Sequence, residues 1–360
     1  MSESYIGILA SGTGGHVYPA YTLSQEFIKK GYKIIWFGTS EGLENKIIKD
    51  KSIIIKNISS KPIRGKGTFQ KILGIIYIFK SIYQSFIIVR KYRPKFIFGF
   101  GGFVSTAPTI AAFFLNITTF LLEQNSVAGT ANKINYYFCK KVFETFPLSF
   151  SKINSKIIHT GNFVRKKFYD LEKPEKKYLS ESTMINILVL GGSQGSQFFN
   201  KVLPFAFSHF NNTNLSIKHI SGEDNKLETK NRYKKYHLDV SVQSYVDDIE
   251  NFYDWSDIVI CRSGSTSISE LSAIGKASIL VPFPYATDKH QLKNAQFLAD
   301  SAAAILIEQS DSFTEEFVNI LNLLLNDRKR LYMLAKNIQD IFPQDPLKVV
   351  LKELKDLESI

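Results

Sequence analysis

Residues 6–20 read IGILASGTGGHVYPA. A buried-strand pattern, Ile6 to Ala10, runs directly into Ser11-Gly12-Thr13-Gly14-Gly15-His16, and a helical pattern follows Pro19. Strand, glycine-rich turn, then helix is how a doubly wound α/β unit opens. The turn lies at the carboxyl end of the strand, where ligands of such sheets sit. Residues 185–196, INILVLGGSQGS, repeat the arrangement midway along the chain. One sheet seldom needs two such openings, whereas two similar doubly wound domains do.

The rest of the pattern agrees. The apolar runs YIGILA, KIIWFG, FIFGFG, TTFLLEQ, INILVLGG, LSIKHISG, SDIVICRSG and ASILVPFP alternate with amphipathic helical segments. That alternation predicts parallel sheets with helices on both faces. The polar, Lys/Glu-rich stretch 162–182, which contains Pro174, reads as the linker. The expected division is therefore 1–162 and 163–343, with a last helix at 344–360 set off by Pro343 and Pro346.

Bulk properties narrow the class. A chain of 360 residues, 44% of them hydrophobic, is long enough for two buried cores. The formal net charge of +12 suits an anionic partner, although the abundance of Lys, Ile, Asn, Phe and Tyr fits drift in an AT-rich genome equally well. Cys139 and Cys261 are the only cysteines, which suggests a reducing compartment and excludes a disulfide framework or zinc-type spacing. The start, MSESYIGILASG, lacks the basic region of a signal peptide. Residues 107–122 are strongly apolar but contain Pro108 and Asn116, and they are shorter than the ~20 residues of a spanning helix. A buried helix followed by a buried strand is expected there.

Several stretches point to a phosphate-bearing small molecule. Glycines at a helix mouth let the backbone approach an anion, and the helix start offers unpaired N–H groups and partial positive charge. GTGGH has that placement. Val17 occupies the third glycine position of a dinucleotide fingerprint, and no Gly-Lys-Ser/Thr follows. A tight structural turn remains the alternative. His16 at a positive helix mouth has its cation disfavoured and is available as a base. Gly191-Gly192-Ser193-Gln194-Gly195-Ser196 repeats the logic, with Ser193 as a donor. In CRSGSTSISELSAIGK a helix starts near Ser265 and stops at Gly275, and Glu270 could grip a ribose diol. The alternative for Glu270 is a capping box with Ser267. Gly99, Gly101 and Gly102, followed by Ser105 and Thr106, form another anion seat, and Glu123-Gln124-Asn125 end a buried strand. Residues 69–95 alternate large apolar and basic residues. Most of its apolar positions read as core, with Lys71, Lys80, Arg90, Lys91 and Arg93 as a basic fringe suited to an anionic membrane.

Taken in order, GTGGHVYPA, GLENKII, IRGKG, GFGGFVS, EQNSVAGTANK, GNFVR, LVLGGSQGSQFFN, YVDDI and CRSGSTSISELSAIGKASILVPFPYATDKHQLKNA resemble the MurG family over most of the chain. The resemblance implies an α/β glycosyltransferase B (GT-B) fold, two Rossmann-like doubly wound domains facing a cleft. The first would take a lipid-linked acceptor and the second UDP-N-acetylglucosamine, with the last helix crossing back to the first. Carried over position by position, Thr13, Gly14 and Gly15 would line the donor and diphosphate side, and Asn125 would contact the sugar. Arg165 and Ser193 would meet the diphosphate. Val246 or Ile249 would wall the uracil pocket. Ser265, Thr266, Ser267, Ile268 and Ser269 would cover the nucleotide, Glu270 would take the ribose hydroxyls, and Gln291 would reach the sugar hydroxyls. The chain departs from the family pattern at Leu122, where His is usual, so that His cannot be essential here. It departs also at Phe163 for Pro, which should loosen the hinge, at Phe103 for Tyr, and in the sequence GSTSISE.

The implied reaction is an inverting transfer of N-acetylglucosamine to the 4-hydroxyl of N-acetylmuramic acid in lipid I, giving lipid II at the cytoplasmic membrane face. His16 is the best-placed base and Glu123 the reserve. Helix N-termini and Arg165 would stabilise the leaving diphosphate, so no metal or other cofactor is expected. The expected partners are UDP-N-acetylglucosamine, lipid I and the anionic membrane surface, not nucleic acid. Alternatives are a GT-B enzyme with another acceptor such as diacylglycerol, a nucleotide-sugar epimerase or dinucleotide enzyme, and a non-enzymatic nucleic-acid binder. The dispersed charge and lack of a binding motif count against the last.

Overall fold

The computed structural model describes residues 4–59, 68–179, 184–192, 195–210, 214–343 and 345–357, with the backbone alone at 68–76. Ser193 and the side chain of Lys71 lie outside the described residues. The chain forms two units, residues 1–164 with 343–360, and residues 165–342.

In the first unit β1 (Tyr5–Leu9), β2 (Lys33–Gly38), β3 (Ile53–Asn57), β4 (Ile97–Gly99), β5 (Thr119–Glu123), β6 (Lys141–Glu144) and β7 (Ile157–His159) form one sheet. Its order is β3-β2-β1-β4-β5-β6-β7, parallel throughout. The strand order reverses between β1 and β4, so their carboxyl ends flank the switch point. Helices cover both faces. On one, Ile6, Ile8, Trp36, Phe98 and Phe120 pack with Val350 and Leu354 of the Pro346–Asp356 helix. On the other, Leu9, Ile35 and Ile97 pack with Val89, Ala111 and Ala112. The last helix starts where its sequence dictates: Pro346 needs no N–H in the first turn, and Asp345 accepts the Lys348 N–H at 3.0 Å.

The second unit holds β8 (Ile185–Leu190), β9 (Leu215–Ile220), β10 (Ser241–Gln243), β11 (Ile258–Cys261), β12 (Ala277–Leu280) and β13 (Ile305–Leu306) in the order β10-β9-β8-β11-β12-β13, again parallel. Ile187, Val189, Ile258, Ile260 and Ile279 anchor its core against Phe199, Leu203, Phe317 and Leu331.

Two expectations need correction. The first helix runs from Gly14 to Lys29 with Pro19 inside it, and so starts earlier than the pattern after Pro19 suggested. Two glycines at its start conceal it from any propensity reading. Most of the stretch read as a linker, from Arg165 to Leu179, is built into the second unit. Phe168 and Tyr178 are buried there, and the Tyr178 hydroxyl donates to the Asp257 carbonyl at 2.7 Å and accepts the Ala277 N–H at 3.0 Å. Its Lys/Glu composition reflects the exposed face of short amphipathic turns. Phe163 belongs to the core of the first unit. It is buried, with its ring edge-on to Phe98 and Phe100 at 6.2 and 6.1 Å, inside a phenylalanine cluster where Phe98 stacks on Phe143.

Residues 107–122 form the helix Thr106–Phe114 and the buried strand β5. Among the described residues no helix is long and apolar enough to cross a membrane.

Candidate active site

In the first unit the singled-out residues gather at the carboxyl ends of β1, β4 and β5. Thr13 takes an extended backbone and heads the Gly14–Lys29 helix without a side-chain cap. The amides of Gly14 and Gly15 therefore stand in an uncapped first turn with its partial positive charge. Half-buried His16 follows, its N–H on the Thr13 carbonyl at 3.2 Å. Its ring lies against the turn after β4: a methyl group at Gly102 would sit 3.6 Å from His16 Cδ2 and 3.8 Å from Nε2.

A polar lattice holds that turn. Ser105 Oγ donates to the Gly102 carbonyl at 2.9 Å and accepts from Asn135 Nδ2 at 2.9 Å, while Gln124 Nε2 donates to the Phe100 carbonyl at 3.0 Å. Glu123, at the end of β5, is fully enclosed. Its Oε1 accepts the Asn125 N–H at 2.9 Å and the Asn125 side-chain amide at 3.5 Å. Its Oε2 accepts the Gly129 N–H at 3.0 Å and Asn132 Nδ2 at 2.9 Å. Burial pushes its carboxyl above the ordinary range, against the pull of these N–H donors. The geometry makes Glu123 the hub that shapes the 123–132 loop and sets Asn125, which is half-buried beside it. Leu122 faces the core.

In the second unit the turn after β8 passes Gly191 and Gly192 and resumes at Gly195. Only glycine fits there: φ is +75° and an added Cβ would lie 2.1 Å from the Ser221 carbonyl oxygen. Ser196 caps the next helix, accepting the Phe199 N–H at 3.3 Å. Arg262, just beyond β11, ties this turn to its neighbours. It donates to Ser196 Oγ at 2.9 Å, to the Val281 and Pro282 carbonyls at 3.1 and 3.0 Å, and to Gln309 Oε1 at 3.2 Å. It also lies 4.7 Å over the Phe199 ring, and burial pulls its guanidinium down to about 10.

The Ser265–Ile274 helix begins at Gly264, again without a side-chain cap, and ends at left-handed Gly275. Thr266 and Ser267 are half-exposed in its first turn, and Thr266 Oγ1 has no partner among the described residues. Ser265 and Ser269 are buried and joined, Ser269 Oγ donating to the Ser265 carbonyl at 2.7 Å. Ile268 faces the core and its N–H donates to the Gly264 carbonyl at 3.0 Å. Glu270 is not part of a capping box, because the helix starts before Ser267. Instead the Tyr253 hydroxyl donates to Oε2 at 3.1 Å, and Arg165 NH2 stands 3.7 Å from Oε1. Arg165, expected on the diphosphate, is here shared between Glu270 and Glu250, the latter at 3.7 Å and also bound by Lys167 at 2.9 Å. Burial lifts the Glu270 carboxyl to about 7, with Arg165 and Tyr253 opposing. Gln291 Oε1 accepts the Phe283 N–H at 2.9 Å, which fixes the amide at the start of the His290–Asp300 helix. Val246 and Ile249 are both half-buried, one after β10 and the other at the start of the next helix.

Sequence reasoning missed Arg262, Tyr253, Asn132 and Glu250. Only Arg262 carried a signal, a charge at the carboxyl end of a buried strand; the others became visible only as partners of Glu123, Glu270 and Arg165. Among the described residues no group of three His, Cys, Asp or Glu is placed to hold a metal ion.

Comparison with known proteins fits this geometry. Residues 6–144 match the glycosyltransferase family 28 N-terminal domain and residues 186–348 its C-terminal domain. The UDP-N-acetylglucosamine–N-acetylmuramyl-(pentapeptide) pyrophosphoryl-undecaprenol N-acetylglucosamine transferase of Psychromonas ingrahamii is 37% identical, over 91% of this chain and 92% of that protein. The crystal structure of Acinetobacter baumannii MurG superposes with a TM-score of 0.85 at 29% identity, covering 98% of this chain and 99% of that one. A UDP-N-acetylglucosamine 2-epimerase superposes at 0.65 with 13% identity over 99% and 97% of the two chains, a likeness of fold alone. The chain therefore belongs to the MurG family of glycosyltransferases, with the two-domain GT-B fold.

Proposed function

We propose that this protein transfers N-acetylglucosamine from UDP-N-acetylglucosamine to the 4-hydroxyl of N-acetylmuramic acid in lipid I, with inversion, releasing UDP and forming lipid II. The observation that carries the reading is Glu270. It is a nearly buried carboxylate with few donors, beside an uncapped helix start and a hydroxyl, Thr266, with no partner among the described residues. Such a carboxylate suits two ribose hydroxyls. An uncapped first turn, such as each unit has, at Gly14 and at Ser265, suits a phosphate group, whose growing charge needs no proton transfer to be stabilised. Val246 and Ile249 would take the uracil, Gln291 and Asn125 the sugar.

The acceptor hydroxyl must lose its proton as the anomeric carbon–oxygen bond forms. His16 is the base in this reading, because its ring lies at the mouth of β1 and β4. Glu123 is committed to its loop and serves as a positioning residue rather than the reserve base. Incubating the protein with UDP-N-acetylglucosamine and a lipid I analogue should release UDP equally with and without EDTA. His16→Ala should lower turnover ~100-fold or more at unchanged donor affinity. Equal turnover in the two proteins removes His16 from the base role.

We further read the enzyme as peripheral on an anionic cytoplasmic membrane surface. Phe79, Tyr83 and Ile87 are exposed one turn apart on the Thr68–Tyr92 helix, followed by exposed Arg90, Lys91 and Arg93. Phe79→Asp with Tyr83→Asp should weaken sedimentation with phosphatidylglycerol vesicles while leaving phosphatidylcholine binding unchanged. Equal binding to the anionic vesicles before and after substitution refutes this surface.

A further inference from the structure

The motif GLENKII is absorbed by none of these roles, yet it holds an unusual group. Glu44 is fully buried at the mouth of β1 and β2 in the first unit. Its Oε1 accepts the Ser11 hydroxyl at 2.7 Å and the Thr39 N–H at 2.7 Å, and the two hydroxyls lie 2.9 Å apart. One carboxylate oxygen thus knots the last residue before the Gly12 turn to the end of the neighbouring strand. Its Oε2 has no hydrogen-bond partner among the described residues. A buried carboxylate is costly, and an orphaned oxygen on it more so. The backbone is shaped to admit it: a side chain at Gly42 would lie 2.1 Å from both oxygens, and one at Gly38 2.6 Å from Oε1. Mere packing at this spot is met more cheaply by an apolar side chain.

What Ser11 supports explains the arrangement. The Ser11 carbonyl oxygen would lie 3.7 Å from a methyl at Gly102, and the His16 ring approaches the same point at 3.6 Å. Ser11 and His16 therefore bracket the β4 turn from two sides of one loop. We propose that Glu44, acting through the Ser11 hydroxyl, is a positioning residue that fixes the Ser11–His16 loop so that the imidazole meets the acceptor hydroxyl in reacting geometry. This rests on His16 as the base.

The test is a double-mutant cycle on turnover. Ser11→Ala deletes one hydroxyl and leaves Glu44 its Thr39 bond, so the fold survives even if Glu44→Ala does not. Ser11→Ala should lower kcat about tenfold or more, with KM for UDP-N-acetylglucosamine within about twofold, since a small misplacement of a reacting group costs up to ~10²-fold. Glu44→Gln, which keeps an acceptor for Ser11 and Thr39, should retain most activity. In a His16→Ala background, Ser11→Ala should cost nothing further. A loss of the same size in both backgrounds, or no loss in either, overturns the inference while leaving His16 in place. Full turnover in His16→Ala alone overturns both the base and this inference.

Discussion

Glu123 in the first unit and Glu270 in the second are both acidic, both nearly buried, and both at the ligand edge of a parallel sheet, yet their surroundings are opposite. Glu123 meets N–H donors from two backbone amides and two asparagine side chains. Glu270 meets one tyrosine hydroxyl and a guanidinium at 3.7 Å, and no backbone N–H among the described residues. A carboxylate has about four acceptor positions. Those of Glu123 are filled by its own loop, whereas Glu270 keeps capacity for a ligand. The two acids are alike in burial and chain position, and differ in the count of internal donors.

The sharpest break of this contrast is Glu123→Leu. It strands several buried N–H groups at once, and it should cost about 3–5 kcal/mol of stability by urea unfolding, comparable to breaking a buried charge pair. A loss below 1 kcal/mol would show that the loop does not depend on it. Glu270→Gln should do the reverse. Stability at neutral pH should hold, while the dissociation constant for UDP-N-acetylglucosamine rises about 10- to 100-fold, as for loss of a hydrogen bond to a charged group. Unchanged affinity by calorimetry would remove Glu270 from the donor site.

A third effect of similar size is in pH. Burial raises the Glu270 carboxyl from 4.5 to about 7. The folded state therefore holds its proton longer than the unfolded chain. The stability this contributes is fully present below pH 4.5 and lost as pH rises to about 7, on the order of 1–3 kcal/mol. Glu270→Gln should lack that decline in melting experiments across the window. Donor affinity should run the other way and strengthen as pH rises through about 7, because the ionised group is the better acceptor. Parallel slopes for stability and affinity would contradict the assignment.

The eight strand runs legible from hydrophobicity are the central four of each sheet, β2-β1-β4-β5 and β9-β8-β11-β12. Strands covered on both faces read as continuous apolar runs. The five missed, β3, β6, β7, β10 and β13, lie toward the edges, where strands are short or partly exposed and their residues carry less signal. The glycine turns were legible for a related reason, since a strand–turn–helix junction is local in the chain. The Tyr253–Glu270 bond, the Arg262 contacts to Ser196 and Gln309, and the Ser11–Glu44 knot join residues 17 to 66 positions apart.

Sequence alone determined two doubly wound domains, their order, the glycine-lined mouths of β1 and β8, and the family. Periodicity and turn chemistry act within a few residues, so they survive in a linear reading. Tertiary structure decided which acids are spent on holding loops and which remain open, where Arg165 rests, that the Lys/Glu-rich stretch packs into the second unit, and that Glu44 is buried. Each of these is settled by which donors and acceptors distant segments bring within about 3 Å, an accounting that requires the folded chain.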